Sequence, residues 1–185
     1  ADRLIQLDSQ TYPYCTVFLA HRKDSPGHSA TIAVVRILYI TIIITLICSF
    51  FAAVAADIWL SERIAVFGAF AGFQYSLNPG IAWGIRLPSG VQEILILLAL
   101  IAVGSLAIHA RDRLTLAAFG CVIGGGLANI IDRFRDGYVT DFVQIGSFPI
   151  FNIADSFVTI GVGLLLLEAL LVKRSPKTEI RNPKV

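Results

Sequence analysis

The chain has 185 residues, 56% of them hydrophobic and only 15% charged, with a net charge of +2 and a mean hydropathy of +0.74. A soluble domain carries about 25% charged residues, so a compact soluble fold would have to show water a large apolar surface. The composition excludes a soluble enzyme, a disordered chain and a nucleic-acid module, and leaves a polytopic membrane protein.

Residues 1–30 are mixed and polar, with Ser25-Pro26-Gly27 as a breaker, and are expected to form a flexible extension. The sequence contains no Met, so its start is expected to be processed, truncated or misassigned. A bilayer core of about 30 Å needs about 20 apolar residues in a helix. Thr31 to Ala56 is the first such run and Ile94 to Ala110 the second. Leu114 to Ile131 and Phe151 to Val172 are the third and fourth. Each is apolar all round, as burial in lipid requires. Between the first two spans lie Trp59, Phe67, Phe70, Phe73, Tyr75 and Trp83, an aromatic set suited to headgroup depth. Phe73 to Leu77 suits a short strand, closed by the turn residues Asn78-Pro79-Gly80. The tight Arg111-Asp112-Arg113 turn makes the second and third spans a hairpin. Tyr138 to Ile145 reads as a strand of period two, with Val139, Asp141, Val143 and Ile145 on one face. Residues 173–185 form a basic tail. The fold class expected is an all-α polytopic membrane protein: four transmembrane helices over residues 31–172 with a small sheet on the outer membrane surface.

Four spans put both termini on one side. That side holds eleven Lys and Arg residues: Arg3, Arg22, Lys23, Arg36, Arg111, Arg113, Lys173, Arg174, Lys177, Arg181 and Lys184. The other side holds four: Arg63, Arg86, Arg133 and Arg135. Positive residues stay inside, so both termini are expected in the cytoplasm.

Polar residues near lipid demand a reason, because an ionised Asp at a bilayer centre costs about 2.5–3.5 kcal/mol. Asp57 ends the first span and reads as a helix-end anchor. Glu168 lies near the cytoplasmic end of the fourth, able to snorkel or to pair with Lys173. The third span ends Gly124-Gly125-Gly126-Leu127-Ala128-Asn129-Ile130-Ile131-Asp132-Arg133. Its small residues let a neighbouring helix approach closely, and Asn129, Asp132 and Arg133 share a face at i, i+3 and i+4. The fourth opens Phe148-Pro149-Ile150-Phe151-Asn152-Ile153-Ala154-Asp155-Ser156. Asn152 suits an N-cap there, and Asp155, one turn inside, gains from the helix dipole. Neither gain explains a second acid, Asp141, on an apolar strand face 14 residues earlier. Two carboxyls that meet in a partly dry site cannot both ionise comfortably, so one keeps a proton. Such a pair can activate water against a peptide carbonyl and protonate the leaving nitrogen. A small ion-coupled carrier and an inert assembly subunit are the rival readings of the same residues. Cys15, Cys48 and Cys121 are odd in number and show no metal-ligand spacing; Cys48 and Cys121 read as small buried hydrophobes. His21, His28 and His109 are scattered, and no zinc site is expected.

Three stretches together resemble the lipoprotein signal peptidases (signal peptidase II), intramembrane aspartic peptidases of bacteria. They are Asn129-Ile-Ile-Asp132-Arg133, Gly137-Tyr-Val-Thr-Asp141-Phe142, and Phe148-Pro149-Ile-Phe151-Asn152-Ile-Ala154-Asp155-Ser156. Asn78-Pro-Gly80-Ile-Ala82-Trp83-Gly84 resembles a further block of that family. The resemblance implies that Asp141 and Asp155 are the catalytic pair, with Asn78, Asn129, Asp132, Arg133, Asn152 and Ala154 lining or supporting the site. It implies an extracytoplasmic β-cradle and an active site near the outer leaflet of the bacterial cytoplasmic (inner) membrane. The implied substrate is a prolipoprotein whose lipobox Cys carries diacylglyceryl, cut on the amino side of that Cys. No metal and no cofactor are implied, and membrane lipid but no nucleic acid is the expected surrounding of a monomer. The sequence departs from the family in three ways. Asp57 is followed by Ile58-Trp59-Leu60-Ser61 where Gln-x-Thr-Lys is usual. Gly126 and Ala128 stand where Ala and Gly are commoner, and some 30 residues precede the first span.

Overall fold

The structure is a computed structural model that describes residues 28–80, 88 and 90–174. The leader before His28, the tail after Arg174, and Ala82, Trp83 and Gly84 of the second block lie outside the described residues, as do Cys15 and His21. Residues 34–185 belong to one compact unit; of the remainder, only residues 28–33, the opening of the first helix, are described.

The elements run α1 (His28–Trp59), β1 (Ile64–Phe67), β2 (Ala71–Asn78), α2 (Val91–Ala107), α3 (Arg113–Asp136), β3 (Val139–Ile145) and α4 (Ile153–Arg174). Three helical stretches are long and apolar enough to cross a membrane: Val35–Trp59, Arg113–Asp136 and Ile153–Leu171. The fourth apolar helix, α2, has 17 residues. Large apolar side chains on the outer faces remain exposed, among them Ile43, Ile47 and Phe51 of α1 and Leu95, Leu98 and Ile101 of α2. Lipid is the solvent that such faces suit.

Helix ends shift from the sequence reading for local reasons. The second helix lies three residues earlier than Ile94–Ala110. It starts after Gly90, whose φ of 81° is left-handed and suits a residue without Cβ. It stops at Ala107, where His109 N–H donates to the Leu106 carbonyl in a tightened last turn. The third helix runs one turn beyond Ile131, to Asp136, because its last residues pair with the sheet. It ends at Gly137, which adopts φ 90° and donates its N–H to the Arg133 carbonyl. The fourth starts at Ile153 rather than Phe151, because the Phe151 backbone is hydrogen-bonded to Val143 of β3.

Helix α3 is the centre of the bundle. A Cβ on Gly124 would lie 2.8 Å from the Thr45 Cβ of α1. One on Gly125 would lie 2.5 Å from the Ala154 carbonyl oxygen of α4, and one on Gly126 would lie 2.7 Å from a Leu100 methyl of α2. Three consecutive glycines thus face three different helices, the close packing that small residues permit in lipid. The inward face of α1 is small as well: Thr45, Ser49, Ala53 and Ala56 are buried. Cys48 falls outside that stripe and is exposed, contrary to the reading of a buried hydrophobe; Cys121 is half-buried.

The sheet is antiparallel in the order β1-β2-β3. Strand β2 spans Ala71–Asn78 and β3 Val139–Ile145, close to the two strands expected from sequence. The edge strand β1, four residues long and exposed throughout, was not expected. Asn78 lies opposite Val139, and Ser76 opposite Asp141. Phe151 then joins β3 from its free side: the Phe142 and Val143 N–H groups donate to its carbonyl at 3.0 and 2.7 Å, and its N–H donates to the Val143 carbonyl at 3.1 Å. This short bridge fixes the start of α4 against β3. Phe142 packs beneath it on Ala56 of α1 and on Leu60 just after that helix.

Candidate active site

Four elements deliver the polar cluster: the end of β2, the first half of β3 and the facing turns of α3 and α4. Asn152 caps α4. Its Oδ1 accepts from the Asp155 N–H at 2.9 Å, while its own N–H lies 3.5 Å from Asp155 Oδ2. This is the reciprocal arrangement of a capping box, so the acid expected one turn inside the span is held by the cap itself. The close approach of Gly125 to Ala154 brings that cap beside Asn129.

The two carboxyls are joined through amides. Asp141 accepts from Asn78 Nδ2 at 2.9 Å and from Asn152 Nδ2 at 3.0 Å, one on each oxygen. Asn152 Nδ2 also donates to Asn129 Oδ1 at 3.0 Å, and Asn129 Nδ2 donates to Asp155 Oδ1 at 2.7 Å. Asn78 Oδ1 accepts the Gly80 N–H at 2.9 Å, which fixes the turn after β2. Asp141 is 2% exposed. Burial pushes its carboxyl up to about 7, with the charge of Asp155 adding to the rise and the Asn78 and Asn152 donors opposing it. A group with that affinity exchanges protons near neutral pH, which general acid–base chemistry requires.

Asn129, Asp132 and Arg133 do share one end of α3, but the structure sends them to three places. Asn129 meets the carboxyl pair. Arg133, almost fully buried, donates to the Gly80 carbonyl. With the Gln92 amide turned so that its oxygen faces the guanidinium, Arg133 also donates to it from Nη2 at 3.1 Å and Nε at 2.8 Å. Arg133 therefore ties the Asn78–Gly80 turn to α2. Asp132 accepts the Thr140 N–H at 2.7 Å and pairs with Arg135 Nη1 at 3.0 Å, anchoring β3 from the other face.

Asp57 belongs to that second face. It forms an ion pair with Arg135 Nη2 at 2.8 Å and accepts from the Tyr75 hydroxyl at 3.0 Å, with Thr140 Oγ1 at 3.4 Å. A helix-end anchor describes it well. Gln92 and Thr140 were not singled out from sequence, and Tyr75 and Arg135 were read there only as an interfacial aromatic and as one of the outer-side cations. Arg135 alone carried a signal there, three residues after Asp132. At the opposite end of the bundle, Glu168 accepts from the Thr115 hydroxyl, which replaces free snorkelling as its role.

Beside the carboxyl cluster an apolar groove of about 240 Å³ runs between α1 and the α3–α4 pair, lined by Phe50, Phe51, Asn129, Asn152 and Ala154 among others. Among the described residues, no three His, Cys, Asp or Glu side chains gather into a metal-ligating group.

Comparison with known proteins bears on this geometry. A family model described as Signal peptidase (SPase) II matches residues 37–171. A lipoprotein signal peptidase of Shouchella clausii is 37% identical over 134 residues, which cover 69% of this chain and 87% of that one. Another, of Rhizorhabdus wittichii, is 39% identical over 142 residues, covering 70% of this chain and 81% of that one. Two solved bacterial membrane enzyme structures superpose with TM-scores of 0.64 and 0.65 at 28% and 29% identity. They cover 80% and 72% of this chain, and 93% and 92% of their own.

Proposed function

The chain belongs to the signal peptidase II family, and from that premise we propose that Asp141 and Asp155 are its catalytic pair. It is a multi-pass membrane protease that removes signal peptides from prolipoproteins. What remains to be assigned is the chemistry, and the observation that carries the assignment is the buried Asp141 carboxyl held by neutral amides and lifted to about 7.

In this mechanism Asp141 holds the proton and Asp155 takes one from the attacking water. The hydroxyl adds to the scissile carbonyl, and Asp141 passes its proton to the departing nitrogen. The pair then exchanges roles to reset, as two coupled carboxyls do. Asn129 and Asn152 hold both acids in register without adding a cation that would strip Asp141 of its proton. The substrate is a prolipoprotein with diacylglyceryl on its lipobox Cys, and the cut falls on the amino side of that Cys. Its apolar signal segment lies against the bundle.

The topology proposed with it has four spans within residues 31–172. The 17 residues of α2 rise about 25 Å, near the lower limit for a span. Both termini then lie in the cytoplasm by the distribution of Lys and Arg, the sheet forms a cradle at the outer leaflet, and the membrane is the bacterial inner one. The protein acts as a monomer. Incubating the detergent-purified chain with a diacylglyceryl lipobox peptide tests the assignment. Asp141→Asn and Asp155→Asn should each abolish release of the signal fragment while the protein stays folded. Turnover retained in either variant removes the pair as the catalyst.

A further inference from the structure

We propose that Glu93 of α2 is the counter-charge of the buried Arg133, and through it a positioning residue that leaves Asp141 its proton. The inference rests on the catalytic pair assigned above. It adds a residue from α2, a helix that contributes none of the side chains bonded to the two acids.

Arg133 is 7% exposed, and a buried guanidinium needs compensation for its charge as well as partners for its N–H groups. Its hydrogen bonds supply only the partners. They go to the Gly80 carbonyl and, with the amide turned, to Gln92, both neutral. Among the described residues the ion pairs of this region belong to Arg135, not to Arg133. The charge is therefore met through space. Glu93 directly follows Gln92 and exerts the strongest attraction on Arg133, ahead of Asp141, Asp155 and Asp132. Its Oε2 is buried and has no hydrogen-bond partner among the described residues.

An acid in the first turn of a helix has an ordinary explanation, since the dipole favours negative charge there. That gain is equally open to a carboxylate in water and does not call for a buried oxygen. A carboxylate oxygen withdrawn from water without a hydrogen bond is costly unless an opposite charge compensates it, and Arg133 is that charge. Asp132 is already paired with Arg135. Of the three other acids that act on Arg133, two are the catalytic pair and the third is Glu93.

The consequence falls on Asp141. Burial and the charge of Asp155 on α4 hold its proton, while the charge of Arg133 on α3 and the amides of Asn78 and Asn152 draw it off. A negative charge at Glu93 offsets the pull of Arg133. Arg133 can then fasten the Asn78–Gly80 turn to α2 without discharging the acid that Asn78 contacts.

The test follows cleavage of a diacylglyceryl lipobox peptide by the full chain in detergent between pH 5 and 8.5. Glu93→Gln keeps the shape and removes the charge, so Asp141 should lose its proton at lower pH. The alkaline midpoint of kcat should move down by about half a pH unit, an approximately threefold loss of turnover on that limb, with KM little changed. Glu93→Asp, which keeps the charge, should return the midpoint toward the wild-type value. Glu93→Ala, also neutral, gives the same reading where the Gln variant does not fold. A uniform loss of turnover at every pH, with the midpoint unmoved, makes Glu93 a merely structural residue and overturns the inference. If Asp141→Asn is inactive in the same assay, the catalytic pair survives that result. Turnover retained in Asp141→Asn removes the pair and this inference together.

Discussion

Thr140 and Asp141 are neighbours on β3 and point to opposite faces of it, and the two faces hold two acids, Asp57 and Asp141, in different settings. On the Thr140 face, Asp57 is paired with Arg135, and their side chains are 22% and 40% exposed. On the Asp141 face the bonded groups are the amides of Asn78 and Asn152, and the acid is 2% exposed. A bonded cation and water compensate a carboxylate's charge; in the dry site around Asp141 the amides, with the charge of Arg133 nearby but not bonded to it, do so incompletely. The first arrangement fastens a helix end to a sheet. The second keeps a proton available. Residue type does not separate these roles, and the partner's charge does.

The comparison breaks most plainly by removing each acid in turn. Asp141→Asn keeps the shape and the amide contacts but abolishes the exchangeable proton, so cleavage of the lipidated peptide should fall by about 10²–10⁴ or more. Asp57→Asn removes one ion pair at a half-exposed site and should leave the rate of the folded enzyme within about threefold. If the two variants lose activity equally, the division of labour between the two faces is wrong.

Next in size is the dependence on pH. The Asp141 carboxyl rises from 3.8 to about 7 in the fold, so the folded protein binds that proton more tightly than the unfolded chain. Its contribution to stability is full below about pH 4 and is lost as pH rises through about 7. At about 1.4 kcal/mol per unit the difference is roughly 4 kcal/mol. Unfolding in detergent, followed between pH 5 and 8.5, should show stability declining with pH, and Asp141→Asn should flatten that slope. Turnover should decline over the same range as the proton leaves the pair.

The fold was legible wherever composition alone decides. The apolar runs located all four helices, because lipid burial leaves few alternatives, and the period-two stretch located β3. Boundaries were missed where a polar turn extends the apolar run, as at Asp132–Asp136, or where the backbone is borrowed by the sheet, as at Phe151. Strand β1 was missed because its four residues show no alternation against the aromatic background. Within the site, Asp141, Asp155, Asn129 and Asn152 were readable because polar residues near lipid are conspicuous. The partners of Asp57 were not, since Tyr75, Arg135 and Thr140 come from three elements whose meeting depends on the register of β3. The fate of Arg133 was hidden for a related reason: its acceptors are the Gly80 backbone carbonyl and the Gln92 amide of another helix, which no local side-chain pattern reveals.

A smaller effect tests how α3 serves both faces of β3. Gly125→Ala would place a Cβ 2.5 Å from the Ala154 carbonyl and 2.8 Å from a Val158 methyl. Backbone cannot yield as a flexible side chain can, so overpacking of about 1–3 kcal/mol is expected. Because Ala154 lies beside Asp155, the variant should also lose activity. Gly126→Ala meets only the end of the Leu100 side chain and should be milder in both measurements, by thermal unfolding and by turnover.

The smallest effect isolates the Thr140 face. Arg135→Ala leaves Asp57 with Tyr75 and Thr140, and Asp132 with the Thr140 N–H. Because Arg135 is 40% exposed, water already screens both its ion pairs, and each exposed pair contributes about 0.2–1 kcal/mol. A stability loss of about 1 kcal/mol is therefore expected, weaker in high salt because the pairs are screened. Arg135→Lys should recover only part of it, since one ammonium cannot span Asp57 and Asp132 as the planar guanidinium does. The site on the other face of β3 should feel this only through strand position, so turnover per folded molecule should change little while the melting temperature drops. A fall in turnover larger than the fall in folded protein would mean that the two faces are coupled, and that Arg135 sets the placement of Asp141 as well as of Asp57.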